Sequence, residues 1–259
     1  MIMSLCGKIG KKYKDMKLNE IPKFVLNLEK RIDRLEHIQK EMSYIGWDYE
    51  LFKAVDTGSH LGCTLSHIAI IDIAIERDYE YVMVIEDDCS FMPYAKSFIE
   101  KLDIELENTE FGILNLSPTH NRPVDISKNH KLLIDITNFP PKEERHRGVF
   151  ATNMMVYHKS IFNDVKQIVT DNLQGYYAID EYIYNNITTK KQSYCPILPI
   201  APQMSSWSDV SQGQYNNFYT QTYNWNLYSP CKIPSEYLHG TLTNDLKLIK
   251  QHKEFTYVN

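Results

Sequence analysis

Eight consecutive residues constrain this chain more than any others: Tyr81-Val82-Met83-Val84-Ile85 runs directly into Glu86-Asp87-Asp88. The apolar stretch is short, rich in β-branched residues and without polar alternation, so it reads as a strand covered on both faces. Such strands belong to parallel sheets. Three acids therefore converge at the end of a buried strand, which is costly unless something cationic neutralises them. The alternative is a solvated acidic turn, since acidic tripeptides are common on surfaces.

The preceding sequence repeats a strand-then-helix pattern. Phe24-Val25-Leu26-Asn27-Leu28 is a second buried strand. Ile32, Leu35, Ile38, Met42 and Ile45 then recur at helical spacing up to a stop at Gly46. Residues 49–55 read as a strand turning at Asp56-Thr57-Gly58, and Thr64 is the expected N-cap of a mostly buried helix reaching about Asp78. After the acids, Pro93 opens a helix to Leu106, and Phe111 to Leu116 forms a strand. The alternation predicts an α/β fold with a mostly parallel sheet flanked by helices, binding ligands beyond the carboxyl ends of its strands.

Residues 117–148 carry four prolines and the basic cluster Arg145-His146-Arg147, and read as a long loop excursion. Further on, residues 150–157 are expected as strand, 160–170 and 179–187 as helices, and 193–200 as strand. The chain beyond Pro202 is irregular until a short helix over 242–250. No internal repeat is present.

With 259 residues and 43% hydrophobic composition, the chain can bury a sizeable core. A net charge of -5 argues against a non-specific nucleic-acid binder, which needs a basic surface to displace counterions. The five scattered cysteines show no zinc spacing and are expected as reduced, mostly buried thiols, with Cys63 in a packing role. Neither a signal-peptide core nor a run of about 20 apolar residues occurs, so no transmembrane segment is expected.

A carboxylate cluster at a strand end suits a hard divalent cation, magnesium or manganese, which could bridge a diphosphate. Arg31 and Arg34 share a helix face beside Asn27, and could grip an anion or pair with Glu29 or Asp33. Gly62 to His67 would place backbone donors at a helix start, although His67 also fits a core position. Asp180 and Glu181 at a helix start are either ordinary helix chemistry or a general base, with Tyr176 and Tyr177 as stacking walls for sugar.

Taken together, these segments resemble glycosyltransferase family 25, the family of lipooligosaccharide and collagen hydroxylysine galactosyltransferases. The resemblance rests on Val25-Leu26-Asn27-Leu28 with Arg31, Asp33 and Arg34, and on Ala54-Val55-Asp56. It continues through Gly62-Cys63 with Leu65-Ser66-His67, Val84-Ile85-Glu86-Asp87-Asp88 and Ser208-Asp209-Val210. It implies a GT-A-like fold, a UDP-sugar donor, manganese as the usual metal, with magnesium also able to serve, and inversion at the anomeric carbon. It further implies a catalytic domain over 1–210, with a nucleotide-binding half at about 22–117 and an acceptor half at about 148–210, followed by an extension over 211–259.

Carried over by position, Asn27, Leu28, Arg31, Arg34 and Asp87 would meet the nucleotide, with Asp56, Ser66 and His67 near the donor. Glu86 and Asp88 would hold the metal. Asp180 is the expected base and Glu181 the second candidate. The expected reaction moves galactose or glucose to a hydroxyl acceptor, a glycan or a hydroxylysine-bearing protein, in the cytoplasm of a bacterium or of a virus-infected cell; oligomers are compatible with it. Two rivals stand beside it. A nucleotidyltransferase would usually place a Gly-rich loop where Asn27-Leu28-Glu29-Lys30 stands, and a non-catalytic carbohydrate-binding module would fit the 12% aromatic content.

Overall fold

The computed structural model of the protein describes residues 16–120, 129–137, 149–171, 178–209 and 213–215. In chain order these form β1 (Lys23–Asn27), α1 (Ile32–Ile45), β2 (Glu50–Lys53), α2 (His60–Glu76), β3 (Tyr81–Glu86), α3 (Ala95–Leu106) and β4 (Ile113–Asn115). There follow β5 (Thr119–His120), β6 (Leu133–Asp135), β7 (Val149–Phe150), β8 (Met154–His158), α4 (Phe162–Lys166), α5 (Ile168–Asp171) and α6 (Ile179–Asn186). The described elements end with β9 (Ser193–Pro196), β10 (Ser206–Ser208) and β11 (Gly213–Tyr215).

Among the described residues, one seven-stranded sheet, ordered β2-β1-β3-β8-β4-β9-β6, forms the centre. Strands β1, β2 and β3 pair in parallel, as do β4 and β9, whereas β8 runs antiparallel to both its neighbours and β6 antiparallel to β9. Five strands thus point one way and two are reversed, so the sheet is mostly parallel.

Strand alternation divides the core between the two sheet faces. Val25, Met83, Ile85, Leu114, Met154 and Val156 join residues of α1 and α3 on one face. Phe24, Leu26, Val82, Val84, Ile113, Met155 and Tyr157 join α2, α4 and α6 on the other. Both faces are covered, which is why β3 carries no polar alternation: Val82, Met83, Val84 and Ile85 are wholly buried. Each such side chain contributes roughly 1.5–3 kcal/mol.

The sequence pattern fixes α1 as expected. Ile38, Met42 and Ile45 are buried, and Gly46 ends the helix in the left-handed region at φ 78°, donating to the Met42 carbonyl. Ile32, expected on the same stripe, stands 64% exposed.

Several expectations are corrected. Ser59, not Thr64, precedes α2, and Thr64 lies inside the helix with Oγ1 bonded to the His60 carbonyl. The stretch 150–157 is interrupted after Phe150 and resumes as β8, reversed in direction. The excursion over 117–148 contributes β6, a sheet-edge strand of three residues. Residues 160–170 fold as a short 3-10 turn followed by two short helices rather than one. The basic cluster 145–147, Tyr176, Tyr177 and the helix over 242–250 lie outside the described residues. Among the described residues, no helix is long and apolar enough to cross a membrane.

Candidate functional site

The strand order brings the ends of β1, β2 and β3 to one edge of the sheet. The reversed β8 starts at that same edge. A cleft of about 730 Å³ opens there, with walls from residues 54–60, 86–88, 150–152 and 178–181. Gly62 shapes one wall: a Cβ on it would lie 2.3 Å from the Val55 carbonyl oxygen, so only glycine lets segment 55–59 rest against α2. Ser66 ties the same segment down, its Oγ accepting from Val55 N–H at 2.8 Å and donating to the Gly62 carbonyl at 2.7 Å.

Acidity dominates the lining. Among its described residues are Asp56, Glu86, Asp87, Asp88, Asp180, Glu181 and Asp209, against the single guanidinium of Arg34.

The three acids at the end of β3 do not share one environment. Asp87 is gripped by Asn27 Nδ2 at 2.7 Å and Arg34 Nη1 at 3.0 Å. Asp88 Oδ2 takes the same Nη1 at 3.1 Å, while its Oδ1 is buried and lacks a hydrogen-bond partner. Burial, with Glu86 and Asp87 adding repulsion against the attraction of Arg34, pushes the Asp88 carboxyl up to about 7. Burial likewise raises Asp87.

Glu86 turns its Oε1 the other way. It accepts from Thr152 Oγ1 at 2.9 Å and faces Cys63 Sγ at 3.8 Å and His67 Nε2 at 3.7 Å. Burial opposes its charge, but His67, Thr152 and Arg34 outweigh that and hold it below the ordinary glutamate range.

Asp180 enters from α6. Its Oδ2 accepts from Ala151 N–H at 3.1 Å and its Oδ1 from Glu181 N–H at 2.9 Å. Ala151 sits at φ 70°, a region alanine seldom adopts, and its carbonyl is held by Asn115 Nδ2 at 2.7 Å. A strained residue beside a cleft carboxylate marks a segment over-determined by its surroundings.

Of the residues expected from sequence, Leu28, Arg34, Asp56, Ser66, Glu86, Asp87, Asp88, Asp180 and Glu181 line the cleft. Asn27, Arg31 and His67 stand behind it. Asn27 supports Asp87, Arg31 pairs with Asp33 and Asp209, and His67 is wholly buried against Tyr157. Arg31 and Arg34 are thus tied to carboxylates, because helical spacing fixes the face a side chain occupies but not the partner it meets. Sequence reading passed over Thr152, Gln203 and Asp209 as lining groups, and gave Cys63 only a packing role although it borders the cleft. A lone threonine or glutamine carries no sequence signal.

Residues 57–181 match the profile of glycosyltransferase family 25, described as an LPS biosynthesis protein. The match spans Glu86 to Asp88 and Asp180, and bears out the resemblance over those residues. No curated protein sequence matches. Solved structures similar to the chain include a glycosyltransferase involved in glycosylation of the major capsid of PBCV-1. It is 14% identical with a TM-score of 0.41, over 63% of this chain and 74% of that one. Mannose-1-phosphate geranyltransferase from Thermus thermophilus is 11% identical with a TM-score of 0.38, over 70% of this chain and 74% of that one. At these scores they add nothing to what the sheet itself shows.

Proposed function

We propose that this chain, whose centre carries the glycosyltransferase family 25 pattern, moves galactose or glucose from a UDP-sugar to a hydroxyl of a glycan acceptor, with inversion. One observation carries the reading: a buried carboxylate, Asp88, lines an acidic cleft and keeps one oxygen without a hydrogen bond, and the same cleft holds a well-anchored second acid, Asp180.

The donor set fits a hard divalent ion. Carboxylate oxygens match manganese or magnesium, and the orphaned Asp88 Oδ1 lacks a partner that such an ion would provide. Asp88, with Glu86 beside it, would hold the ion. There the ion would offset the charge of a diphosphate that the acidic lining repels. Asn27 and Arg34 fix Asp87 and Asp88 in place, so the sites are set before ligand arrives.

Asp180 acts as the base. The acceptor oxygen forms a bond to the anomeric carbon as the bond to UDP breaks; the electron pair leaves with UDP and the acceptor proton passes to Asp180. The Ala151 and Glu181 N–H groups orient that carboxylate. Phe150 and Ile179 on the same side offer apolar surface to a sugar ring.

The test is incubation with manganese and a panel of UDP-sugars, followed by mass spectrometry. Slow donor hydrolysis is expected with one or two of them, lost in Asp88→Ala. Hydrolysis and transfer at the parent rate in that variant would sink the metal assignment.

A further inference from the structure

We propose that Cys63, His67 and Glu86 form a second divalent-metal site of the zinc class, set between α2 and the end of β3. The inference does not rest on the transfer reaction, although the site shares Glu86 with the oxygen-lined ion of Asp88.

Geometry comes first. Cys63 Sγ, His67 Nε2 and Glu86 Oε1 all lie within 4.8 Å of one another. The approaches to Glu86 Oε1 are 3.8 Å from sulfur and 3.7 Å from nitrogen. Metal–ligand bonds of about 2.0–2.3 Å in a tetrahedron put ligand atoms roughly 3.3–3.7 Å apart. Shifts of a few tenths of an ångström in these side chains, with a larger closure between sulfur and nitrogen, would complete the site.

The second observation is an orphan. His67 is wholly buried, and its Nε2 has no hydrogen-bond partner although it points at a carboxylate oxygen. At 3.7 Å the pair is too long for a hydrogen bond. The other ring nitrogen, Nδ1, lies 2.9 Å from the Tyr157 hydroxyl. The Tyr157 contact fixes the ring so that Nε2 faces Glu86 without a hydrogen bond, a gap that a cation held by both groups would fill. Histidine ligands are commonly oriented in this way through their second nitrogen. Thr152 does the same for Glu86, donating to Oε1 at 2.9 Å.

Ligand chemistry selects the metal. Thiolate and imidazole favour zinc over manganese or magnesium, which prefer oxygen alone. Binding releases the Cys63 thiol proton and forms the sulfur–metal bond. Burial, with the nearby charges of Glu86, Asp180 and Asp88, keeps that thiol protonated in the absence of metal, and those same charges favour a dication in its place. Cys63 and Glu86 both border the cleft, so a three-ligand site there leaves its fourth position facing ligand space. Glu86 has a second oxygen, which leaves it able to serve the Asp88 side.

The experiment uses the full chain stripped of metal by chelation. Cobalt(II), a spectroscopic substitute for zinc, is expected to give a thiolate-to-metal charge-transfer band at about one equivalent, displaced by zinc and absent in Cys63→Ser. Asp88→Ala should keep the band. In the parent protein, zinc at ten times its dissociation constant should slow alkylation of Cys63 by iodoacetamide about tenfold, followed by peptide mass spectrometry. That measurement does not depend on the folding of any variant. No charge-transfer band in the parent, equal alkylation with and without zinc, or loss of the band in Asp88→Ala would each overturn the assignment.

Discussion

Replacing Asp88 by Asn should make the protein more stable while abolishing transfer. The Asp88 carboxyl titrates at about 7 in the folded chain against 3.8 as its ordinary value, a difference of about 3. Because the folded value is the higher one, the folded state holds more protons than the unfolded state between those limits. Stability therefore falls as pH rises from about 4 to about 7 and stays low above it. At 1.36 kcal/mol per pKa unit, ionising Asp88 costs up to about 4 kcal/mol at pH 8. Asn keeps the shape and an acceptor for Arg34 but never carries the charge. Urea denaturation in chelator at pH 4, 6 and 8 should show no gain for Asp88→Asn at pH 4 and a gain of up to about 4 kcal/mol at pH 8. Manganese at 100 times its dissociation constant should stabilise the parent by about 2.7 kcal/mol and the variant not at all. An advantage for the variant that is the same at pH 4 and pH 8, or none at any pH, would refute the idea that Asp88 is held charged against its surroundings.

Three further outcomes are expected. Asp180→Asn should lower the transfer rate by about 10²–10⁴-fold with UDP binding unchanged by calorimetry, as removal of a positioned base does. Gly62→Ala places a methyl group 2.3 Å from the Val55 carbonyl oxygen and should cost about 1–3 kcal/mol in urea denaturation, together with weaker donor binding. Tyr157→Phe leaves His67 Nδ1 buried without its 2.9 Å partner and should cost about 1–3 kcal/mol by the same measurement.

The front half of the fold was legible because its signals are strong and local. Buried strands such as Phe24 to Leu26 and Val82 to Ile85 are continuous apolar runs, and Gly46 marks a helix end unambiguously. The start of α2 was misplaced because His60-Leu61-Gly62-Cys63 forms a first turn on the cleft, where no apolar stripe announces a helix. Direction was not legible at all: Met154 to Tyr157 is as apolar as a parallel strand, and nothing in its composition says that it runs backwards between β3 and β4. At the site, residue types and positions were readable and partnerships were not. Arg34 reads as an anion-binding side chain, yet tertiary contact with Asp87 and Asp88 claims its guanidinium. Cys63 has no sequence neighbour that signals its approach to Glu86 from 23 positions away.

The reversal of β8 has a geometric result. The dipeptide that leads into it touches two of the cleft's carboxylates: the Ala151 N–H holds Asp180 and the Thr152 hydroxyl holds Glu86. One short segment thus acts as a calliper, setting the span between these two acids. Lengthening or shortening the chain at that point would open or close the gap between them, while the sheet behind it kept its shape.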